Sequence, residues 1–572
     1  MTHTLPETAA SRRAWIAGAV ALAISVALLL VWLLTTSTGE LREQLKVWQP
    51  WSLDACVLLG LLIAVYLIGT TDRGLWRREG LRLSLLAALA AALTLFVAPR
   101  TNRIFYDEQI YQSVGRNLAD LRLAQVCNDG SVEYGRLTCA SGEYNKQPYA
   151  YPHVLGLAYR LSGVHDGTAF AVNAAAMALT VCAVYLLVWV LFRDRDAALF
   201  AGLLIALTPE QLIWSATAAV EPMASLALVV ALLCAAHYLR AGGVAALTAL
   251  VVSTAYAIQF RPESLLVLPV IGLLTWPRLH IDLVCPRGSW AATLFLCLVA
   301  VHVAHLYAVR HVEWGTSGPR FSFAYLASNL RVNGWFYLWD ERYPAAFTLL
   351  AVAGLVSLRQ RREAAAVATY FLLFFAIDLV FYAGSYNYGA DVRYSLMTYP
   401  PLAVLGGAGA AALARGIERL GSRAAVPARA LVAAAFVFQF LCYAPVVRAT
   451  TEEAWAARAD VRFARVVARD LPRNSYVLTH NPGMFHLWGV NAGQMSLVTA
   501  SPAYMRVLAQ RYSGGLYLHW NFWCNVQDPV QPAFCRTALA MGPADVVSEY
   551  RERDQRFAFY RLHVGTQGAP VP

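Results

Sequence analysis

The chain has 572 residues, of which 58% are hydrophobic and only 14% are charged. A soluble domain carries roughly a quarter charged residues and about half apolar ones, so the composition excludes an ordinary soluble protein. It also excludes disorder, because so much apolar surface has to be buried or kept in lipid. The net charge of +11 does not indicate a nucleic-acid partner, since all but two of the 46 basic residues are arginine. Many of these arginines stand in short loops, where they set membrane topology. The remaining class is an all-α multi-pass membrane protein in the lipid bilayer.

The apolar runs predict about thirteen transmembrane helices, because a bilayer core about 30 Å thick needs roughly 20 apolar residues per helix. The predicted spans are 14–35, 52–69, 82–98, 168–191, 197–209, 220–239, 243–260, 264–276, 290–309, 345–358, 364–383, 395–414 and 430–447. Every second loop is rich in arginine, beginning with Arg12 and Arg13 before the first span. The positive-inside rule therefore places the N-terminus in the cytoplasm and the C-terminus outside. We expect the first span to remain as an anchor, because it lacks a convincing signal-peptide cleavage site.

Three segments are predicted to lie on the outer face: the loop 99–152, the loop 310–344 and the tail from 448. In the tail, a polar helix near 452–470 and later strand-like runs, such as Tyr476–Thr479, predict a small α/β domain. The predicted domains are N-terminal transmembrane helices (1–98), a first outer loop (99–152), a transmembrane core (153–447) and an extracytoplasmic α/β domain (448–572).

The cysteines support this sidedness. Cys127 and Cys139 share the first outer loop, and Cys524 and Cys535 share the tail. Pairs of similar spacing in two oxidising segments predict two local disulfides; the alternative is four free thiols.

Two polar segments bound the first outer loop. Asp107 and Glu108 form an acidic pair just after the third span, an expensive place for charge unless it faces water or a site; the alternative is a solvated loop or a helix cap. Lys146 stands with Asn145 and Tyr149, two candidate substrate contacts, in an aromatic stretch that returns to the membrane. Such a lysine suits a phosphate at headgroup depth, and the alternative is an ordinary interfacial lysine.

Three further segments are predicted on the same face. Glu221 begins the sixth span and Arg261 stands in the turn between the seventh and eighth, where a helix-dipole contact or a salt bridge is the alternative. A polar turn before the twelfth span suits sugar stacking and hydrogen bonding, or an interfacial belt; its candidate substrate contacts are Tyr386, Tyr388, Asp391 and Tyr394. The shared sidedness predicts that these segments converge on one cavity.

The order of these motifs resembles the GT-C glycosyltransferases, in particular the aminoarabinose transferase and protein O-mannosyltransferase branch. The resemblance rests on Asp107-Glu108, Asn145-Lys146-Gln147-Pro148, Glu221 and Arg393-Tyr394, and covers residues 80–415. It implies the GT-C fold, Asp107 as catalytic base with Glu108 as the second residue of the catalytic pair, and Lys146 as a contact of the lipid phosphate. It also implies Glu221 as a second catalytic acid, which would hold the acceptor or donor sugar. Gln147 in place of a proline, and Glu rather than Asp at the second acid, leave the sugar and the acceptor open.

The resemblance implies an inner-membrane enzyme that takes a sugar from a polyprenyl-phosphate donor and inverts its configuration on transfer to an acceptor hydroxyl. Arg261 and Arg393 would help Lys146 to neutralise the leaving phosphate, and the acceptor would be a glycan, a glycolipid or a protein. Aromatic side chains of the tail suit sugar stacking or a small hydrophobic core: Tyr517, His519, Trp520 and Trp523.

We expect no cofactor, since the outer loops lack His-x-x-x-His and Asp-x-Asp patterns, although acids alone can hold Mg²⁺ or Mn²⁺. His480 and His486 are interpreted as surface or strand histidines rather than zinc ligands.

Two other functions stay open. A transporter or flippase explains the spans but not polar motifs on one face, since carriers bind near the midplane. An O-antigen ligase or polymerase would depend on outer-loop arginine and histidine.

Overall fold

The computed structural model describes residues 9–70, 73–312, 318–387, 389–419, 425–449 and 454–564. The chain divides into two compact units. The first, called here the membrane unit, comprises Met1–Thr101, Lys146–Tyr151 and Phe170–Thr450. The second, the sheet unit, comprises Asn102–Asn145, Pro152–Ala169 and Thr451–Pro572.

The elements follow in chain order. They are α1 (Ala9–Thr35), α2 (Thr38–Thr70), α3 (Arg73–Phe96), α4 (Phe105–Asp120), β1 (Val126–Glu133), β2 (Arg136–Glu143), α5 (Ala150–Ser162), α6 (Asp166–Phe192), α7 (Arg195–Ala206), α8 (Pro209–Ser215), α9 (Glu221–Ala241), α10 (Gly243–Ala257), α11 (Val267–Leu283), α12 (Pro286–Val309), α13 (Leu326–Trp339), α14 (Ala345–Ser357), α15 (Arg361–Val380), α16 (Tyr399–Arg419), α17 (Ala425–Arg448), α18 (Trp455–Asp470), β3 (Tyr476–Thr479), α19 (Pro482–Leu487), β4 (Asn491–Gln494), α20 (Met495–Ala500), α21 (Pro502–Arg511), β5 (Leu516–Trp520), α22 (Val530–Ala540), β6 (Ala544–Glu552) and β7 (Gln555–Leu562).

Within the described part of the chain, ten helices are long and apolar enough to cross a membrane. The pair α7 and α8 passes the same test as one span bent by 59°, and α10 and α14 are shorter apolar helices. Together these elements correspond to the thirteen predicted spans. The bend falls at Pro209, which has no N–H to continue α7 and disfavours helical geometry at Thr208. Thr208 is accordingly extended, with ψ 117°.

The sheet unit is built on one seven-stranded sheet with the order β2-β1-β4-β3-β5-β7-β6. Strands β3, β4 and β5 are parallel, whereas the hairpins at both edges are antiparallel. The predicted α/β domain of the tail is therefore present. The sheet is larger than the sequence indicates, because the hairpin β1–β2 comes from the loop 99–152 and pairs with β4 of the tail.

A buried hydrogen bond joins the loop to the tail inside this unit. The Tyr476 hydroxyl of β3 donates to Asp129 Oδ1 of β1 at 2.6 Å. To reach it, the tyrosine side chain crosses the intervening strand β4 at Gly493. A Cβ at Gly493 would lie 1.9 Å from that hydroxyl, so only glycine fits this position of β4. Tyr504 also donates to Asp129, and the carboxylate is thereby held by two phenols.

Side-chain alternation gives the sheet two hydrophobic faces. Val477, Tyr517 and Phe559 pack on one face against α18. The neighbouring strand positions, including Leu478 and Leu518, pack on the other face against helices of the tail. In the same unit, one disulfide joins Cys127 to Cys139 and another joins Cys524 to Cys535, which are the two pairs expected from the sequence.

Candidate functional site

The membrane unit contains a buried ionic network centred on Glu221. This carboxylate is the first residue of α9 and only 1% exposed. Arg393 forms an ion pair with Glu221, with Nε 3.0 Å from Oε1, and Arg261 donates from Nη1 to the same oxygen. Arg261 also pairs with Glu263 through its Nε. Three segments that are distant in sequence thus place two arginines and two glutamates in one cluster.

Local backbone structure explains how each segment reaches the cluster. Pro222 stands in the first turn of α9, where a proline is pre-organised for the helix, and the helix N-terminus favours the negative charge of Glu221. Arg261 follows α10 in an extended conformation, with φ −147° and ψ 149°. Arg393 lies in a 3₁₀ run, Gly389–Met397.

Tyr394 orders both guanidinium groups of the network. The central carbons of Arg261 and Arg393 each lie 4.9 Å from the centre of its ring. Arg393 also donates from Nη2 to the Tyr394 hydroxyl at 3.2 Å. Cations over an aromatic face are attracted by the ring quadrupole, more strongly where water is excluded, so Tyr394 supports the two cations.

The segment carrying Lys146 belongs to the membrane unit. Its Ala150 N–H donates to the carbonyl of Gln259 at 3.4 Å, two residues before Arg261. The Tyr149 ring is almost fully buried and packs edge-on against His305, with centroids 5.6 Å apart. The structure therefore ties the Lys146 segment to the chain that carries Arg261. Tyr149 has a packing contact there, and its expected contact with substrate stays a prediction.

The acidic pair Asp107-Glu108 occupies the first turn of α4 in the sheet unit. Glu108 is 0% exposed, and its Oε1 accepts the backbone N–H groups of Arg103 at 2.7 Å and Ile104 at 2.9 Å. These are donors that a helix N-terminus leaves without intrahelical partners. Glu108 thus caps the helix, which is the alternative weighed from the sequence, and its expected catalytic role stays a prediction. Asp107, by contrast, is half-buried.

The polar turn before α16 splits into different roles. Arg393 and Tyr394 join the Glu221 network, whereas Tyr386 is fully buried. The Tyr386 hydroxyl donates to Asp378 Oδ2 at 2.9 Å, and its backbone N–H donates to Asn333 at 2.9 Å. Through these two bonds Tyr386 ties α13 to α15, and the expected sugar contact at this residue stays a prediction. Tyr388 lies outside the described residues.

Two other residues, Asp391 and Asn145, are also predicted to contact the substrate. Asp391 is largely buried in the 3₁₀ run. Asn145 is half-buried at the end of the first loop. For both, the predicted contact with substrate stays a prediction.

Of the tail's aromatic side chains that suit sugar stacking or a hydrophobic core, Tyr517 and His519 are buried, and Trp520 packs against the hydrophobic cluster on the other face of the sheet. Trp523 is different. It lines a cavity of about 420 Å³ in the sheet unit, which sequence reasoning missed because its walls come from separate segments. The aromatic residues Trp523 and Tyr106 were the signals in the sequence that could have suggested it.

His480 lies in the wall of this cavity beside Cys524 and Cys535, in a grouping that would suit a metal ion. Both sulfurs are joined in a disulfide, and a metal would need them as thiolates. The three residues therefore do not fit a metal site in this oxidation state.

Comparison with known proteins addresses the fold directly. The structure matches ArnT from Cupriavidus metallidurans bound to undecaprenyl phosphate, with TM-score 0.53 and 13% identity, over 86% of this chain and 98% of that one. The apo form of the same protein matches with TM-score 0.52 and 15% identity, over 83% of this chain and 97% of that one. The chain has the GT-C fold.

The sequence comparison agrees with the GT-C fold. Residues 146–307 match the family model described as dolichyl-phosphate-mannose-protein mannosyltransferase, and no curated protein matches the sequence significantly. The archaeal oligosaccharyltransferase AglB from Archaeoglobus fulgidus, in complex with an inhibitory peptide and a dolichol-phosphate, also matches in structure. Its TM-score is 0.46 and its identity 12%, over 78% of this chain and 70% of that one. The resemblance to the aminoarabinose transferase and protein O-mannosyltransferase branch is confirmed.

Proposed function

We propose that this GT-C protein transfers a sugar from a polyprenyl-phosphate donor to an acceptor hydroxyl on the periplasmic face of the bacterial inner membrane, with inversion at the anomeric carbon. The observation that carries the proposal is the buried network of Glu221, Arg261 and Arg393. Ionisable groups within a membrane protein are expensive and usually mark function. The stretch matched by the family model contains Lys146, Glu221 and Arg261, and ArnT of the same fold was crystallised with undecaprenyl phosphate.

The reaction is a single displacement. The acceptor oxygen forms a bond to the anomeric carbon while the bond from that carbon to the phosphate oxygen breaks. The bonding electron pair leaves with the polyprenyl phosphate, and the hydroxyl proton passes to the carboxylate of Asp107 as general base. A half-buried carboxylate at the start of a helix suits this role.

The phosphate gains negative charge as it leaves, so fixed cations at that point lower the barrier. Lys146 supplies a compact charge, and Arg261 and Arg393 supply planar groups that match phosphate geometry. Glu221 acts as a positioning residue, because it holds both guanidinium groups before substrate arrives. That assignment replaces the expectation of a direct sugar contact at Glu221.

The face of the membrane on which the enzyme acts is inferred from the charges of the loops. The arginine-rich loops alternate along the chain, which by the positive-inside rule puts the C-terminal tail in the periplasm. A polyprenyl-phosphate sugar needs no nucleotide, which suits an enzyme acting outside the cytoplasm. The donor sugar is a hexose or a pentose, and the acceptor is a glycan, a glycolipid or a protein.

The test compares the wild type with Asp107→Asn in cells that carry no other copy. Lipid extracts are analysed by mass spectrometry for polyprenyl-phosphate sugar and free polyprenyl phosphate. Loss of a general base slows transfer by roughly 10²- to 10⁴-fold, so the variant should accumulate the charged donor. The matched control is Glu133→Gln, which removes an exposed acid of the hairpin β1–β2 in the same unit.

Other outcomes would contradict the proposal. Near-normal turnover by Asp107→Asn would remove Asp107 as the base. If the wild type moves the lipid-linked sugar without splitting its anomeric bond, the protein is a transporter. An active Asp107→Asn beside inactive histidine or arginine variants of the outer loops would favour a ligase or polymerase.

A further inference from the structure

The cavity in the sheet unit is lined by eight residues. They are Tyr106, His480, Gln494, Met495, Ser496, Trp523, Gln531 and Phe534. Its volume of about 420 Å³ lies in the range of small-molecule sites. The wall combines aromatic rings with amide and hydroxyl groups, which is the composition that binds a polyhydroxylated ring through stacking and directional hydrogen bonds.

None of these eight lining residues is an acid, a lysine or an arginine. His480 is the single titratable base among them, and burial lowers the pKa of its imidazole to about 4, so the ring is neutral at ordinary pH. Burial also raises the pKa of Tyr106 well above its usual value, which keeps that phenol neutral. A wall without formal charge favours a neutral ligand over a phosphate.

Trp523 is held firmly in this wall. The Asn521 side chain accepts the Trp523 backbone N–H at 2.9 Å, and buried Asp460 accepts the N–H of Phe522 at 3.1 Å. The Trp523 ring lies 4.8 Å from that of Tyr106, measured between centroids, with a tilt of 50°. A ring fixed before the ligand arrives loses little entropy on binding.

The disulfide Cys524–Cys535 joins two walls of the cavity. Cys524 directly follows Trp523, and Cys535 directly follows Phe534 on α22. His480 makes a further link, since its Nε2 bonds to the carbonyl of Gln531 at 3.2 Å. Several independent constraints thus fix the spacing of the aromatic walls.

We propose that this cavity is a binding subsite for a neutral sugar ring of the acceptor. The inference rests on the proposed function, because Tyr106 in the wall immediately precedes Asp107, the proposed base. Asp107 itself is not one of the eight lining residues, so the subsite would hold a ring of the acceptor next to the ring whose hydroxyl reacts. The acceptor class that fits is therefore a glycan or glycolipid with an uncharged ring near the hydroxyl that reacts.

The test is saturation-transfer difference NMR on the full-length protein in nanodiscs. The probes are methyl glycosides of glucose, galactose, mannose, arabinose and N-acetylglucosamine, with glucose 1-phosphate as the charged comparison. We expect at least one neutral glycoside to give signal with the wild type and to bind roughly 3- to 10-fold more weakly to Trp523→Ala. Trp523→Phe keeps a ring and should retain most of the binding.

Tyr134→Ala is the matched control, because Tyr134 is a fully exposed aromatic residue of the same unit outside the cavity. Absence of signal from every neutral glycoside with the wild type would overturn the proposal. Equal signal from the wild type and Trp523→Ala would do the same, and so would binding of glucose 1-phosphate alone.

Native mass spectrometry of the same preparations separates the two proposals. If the wild type retains polyprenyl phosphate but binds no glycoside, the subsite is wrong and the proposed function stands. If it binds glycosides through Trp523 but retains no polyprenyl lipid, sugar binding at the cavity stands and the proposed function fails.

Discussion

Arg393 and Glu221 are ion-paired inside the membrane unit, with Arg393 Nε 3.0 Å from Glu221 Oε1. Arg261 reaches the same carboxylate oxygen. One buried acid therefore fixes two cations that come from different parts of the sequence, and its loss should disturb both.

Glu221→Gln tests this arrangement. Breaking a buried ion pair from one side costs about 3–5 kcal/mol, because the partner charge stays buried, so we expect a clear fall in thermal stability. If Glu221 positions the arginines for the donor, the KM for the polyprenyl-phosphate sugar should also rise, and Glu221→Asp should restore part of it.

Glu263→Gln is the matched control for that variant. Glu263 also pairs with Arg261, but its side chain is 19% exposed compared with 1% for Glu221, so the expected effect is smaller. Equal behaviour of the two variants, or an unchanged KM in Glu221→Gln, would contradict the positioning role.

The disulfide Cys524–Cys535 should stabilise the sheet unit. Its cysteines are separated by 11 positions, and closing a short loop of this kind contributes roughly 2–4 kcal/mol. We expect replacement of both cysteines by serine to lower the melting temperature, whereas Cys297→Ser should leave it unchanged because Cys297 is free and exposed. Identical melting curves for the wild type and the double variant would show that the disulfide does not stabilise the unit.

Stability should fall on acidification. Burial lowers the pKa of His480 and of His486 to about 4, below the value of roughly 6.5 in an unfolded chain. Above pH 6.5 neither state binds the proton, so the stability is constant; between pH 6.5 and 4 only the unfolded chain binds it, and stability is lost. Each histidine accounts for roughly 3 kcal/mol at most.

Thermal melting between pH 7.5 and pH 4.5 checks this prediction. His486→Gln should show a shallower loss of stability on acidification than the wild type. Parallel curves for His486→Gln and the wild type would be inconsistent with a buried neutral His486.

The sequence predicted the helices well because each span depends only on its own residues. An apolar run of sufficient length needs no partner to be recognised, and even the bend between α7 and α8 has a local cause in Pro209. Disulfide partners lay within one loop or one tail, so their spacing was sufficient to predict them.

Non-local pairing explains what the sequence did not reveal. The hairpin β1–β2 joins β4 through Asp129 and Gly493, and no local pattern specifies a strand partner so distant in sequence. The same holds for the cavity around Trp523.

The same difference between local and non-local information applies to the site residues. Residue type predicted that Arg393 and Glu221 are important but not that they bind each other. Type alone also could not distinguish the aromatic Tyr386, buried in the core, from Tyr394 beside the arginines. Glu108 and Asp107 are adjacent acids, and only the backbone geometry of α4 shows which one caps the helix.

Native mass spectrometry of the detergent-purified protein tests the donor assignment most directly. Wild type is compared with Lys146→Ala, and Lys46→Ala serves as control, because Lys46 is the other lysine of the chain and pairs with Glu43 on α2. We predict that the wild type and Lys46→Ala retain a polyprenyl phosphate or its sugar conjugate, and that Lys146→Ala loses it. Absence of any polyprenyl lipid from all three proteins, under conditions that preserve bound phospholipid, would contradict the account.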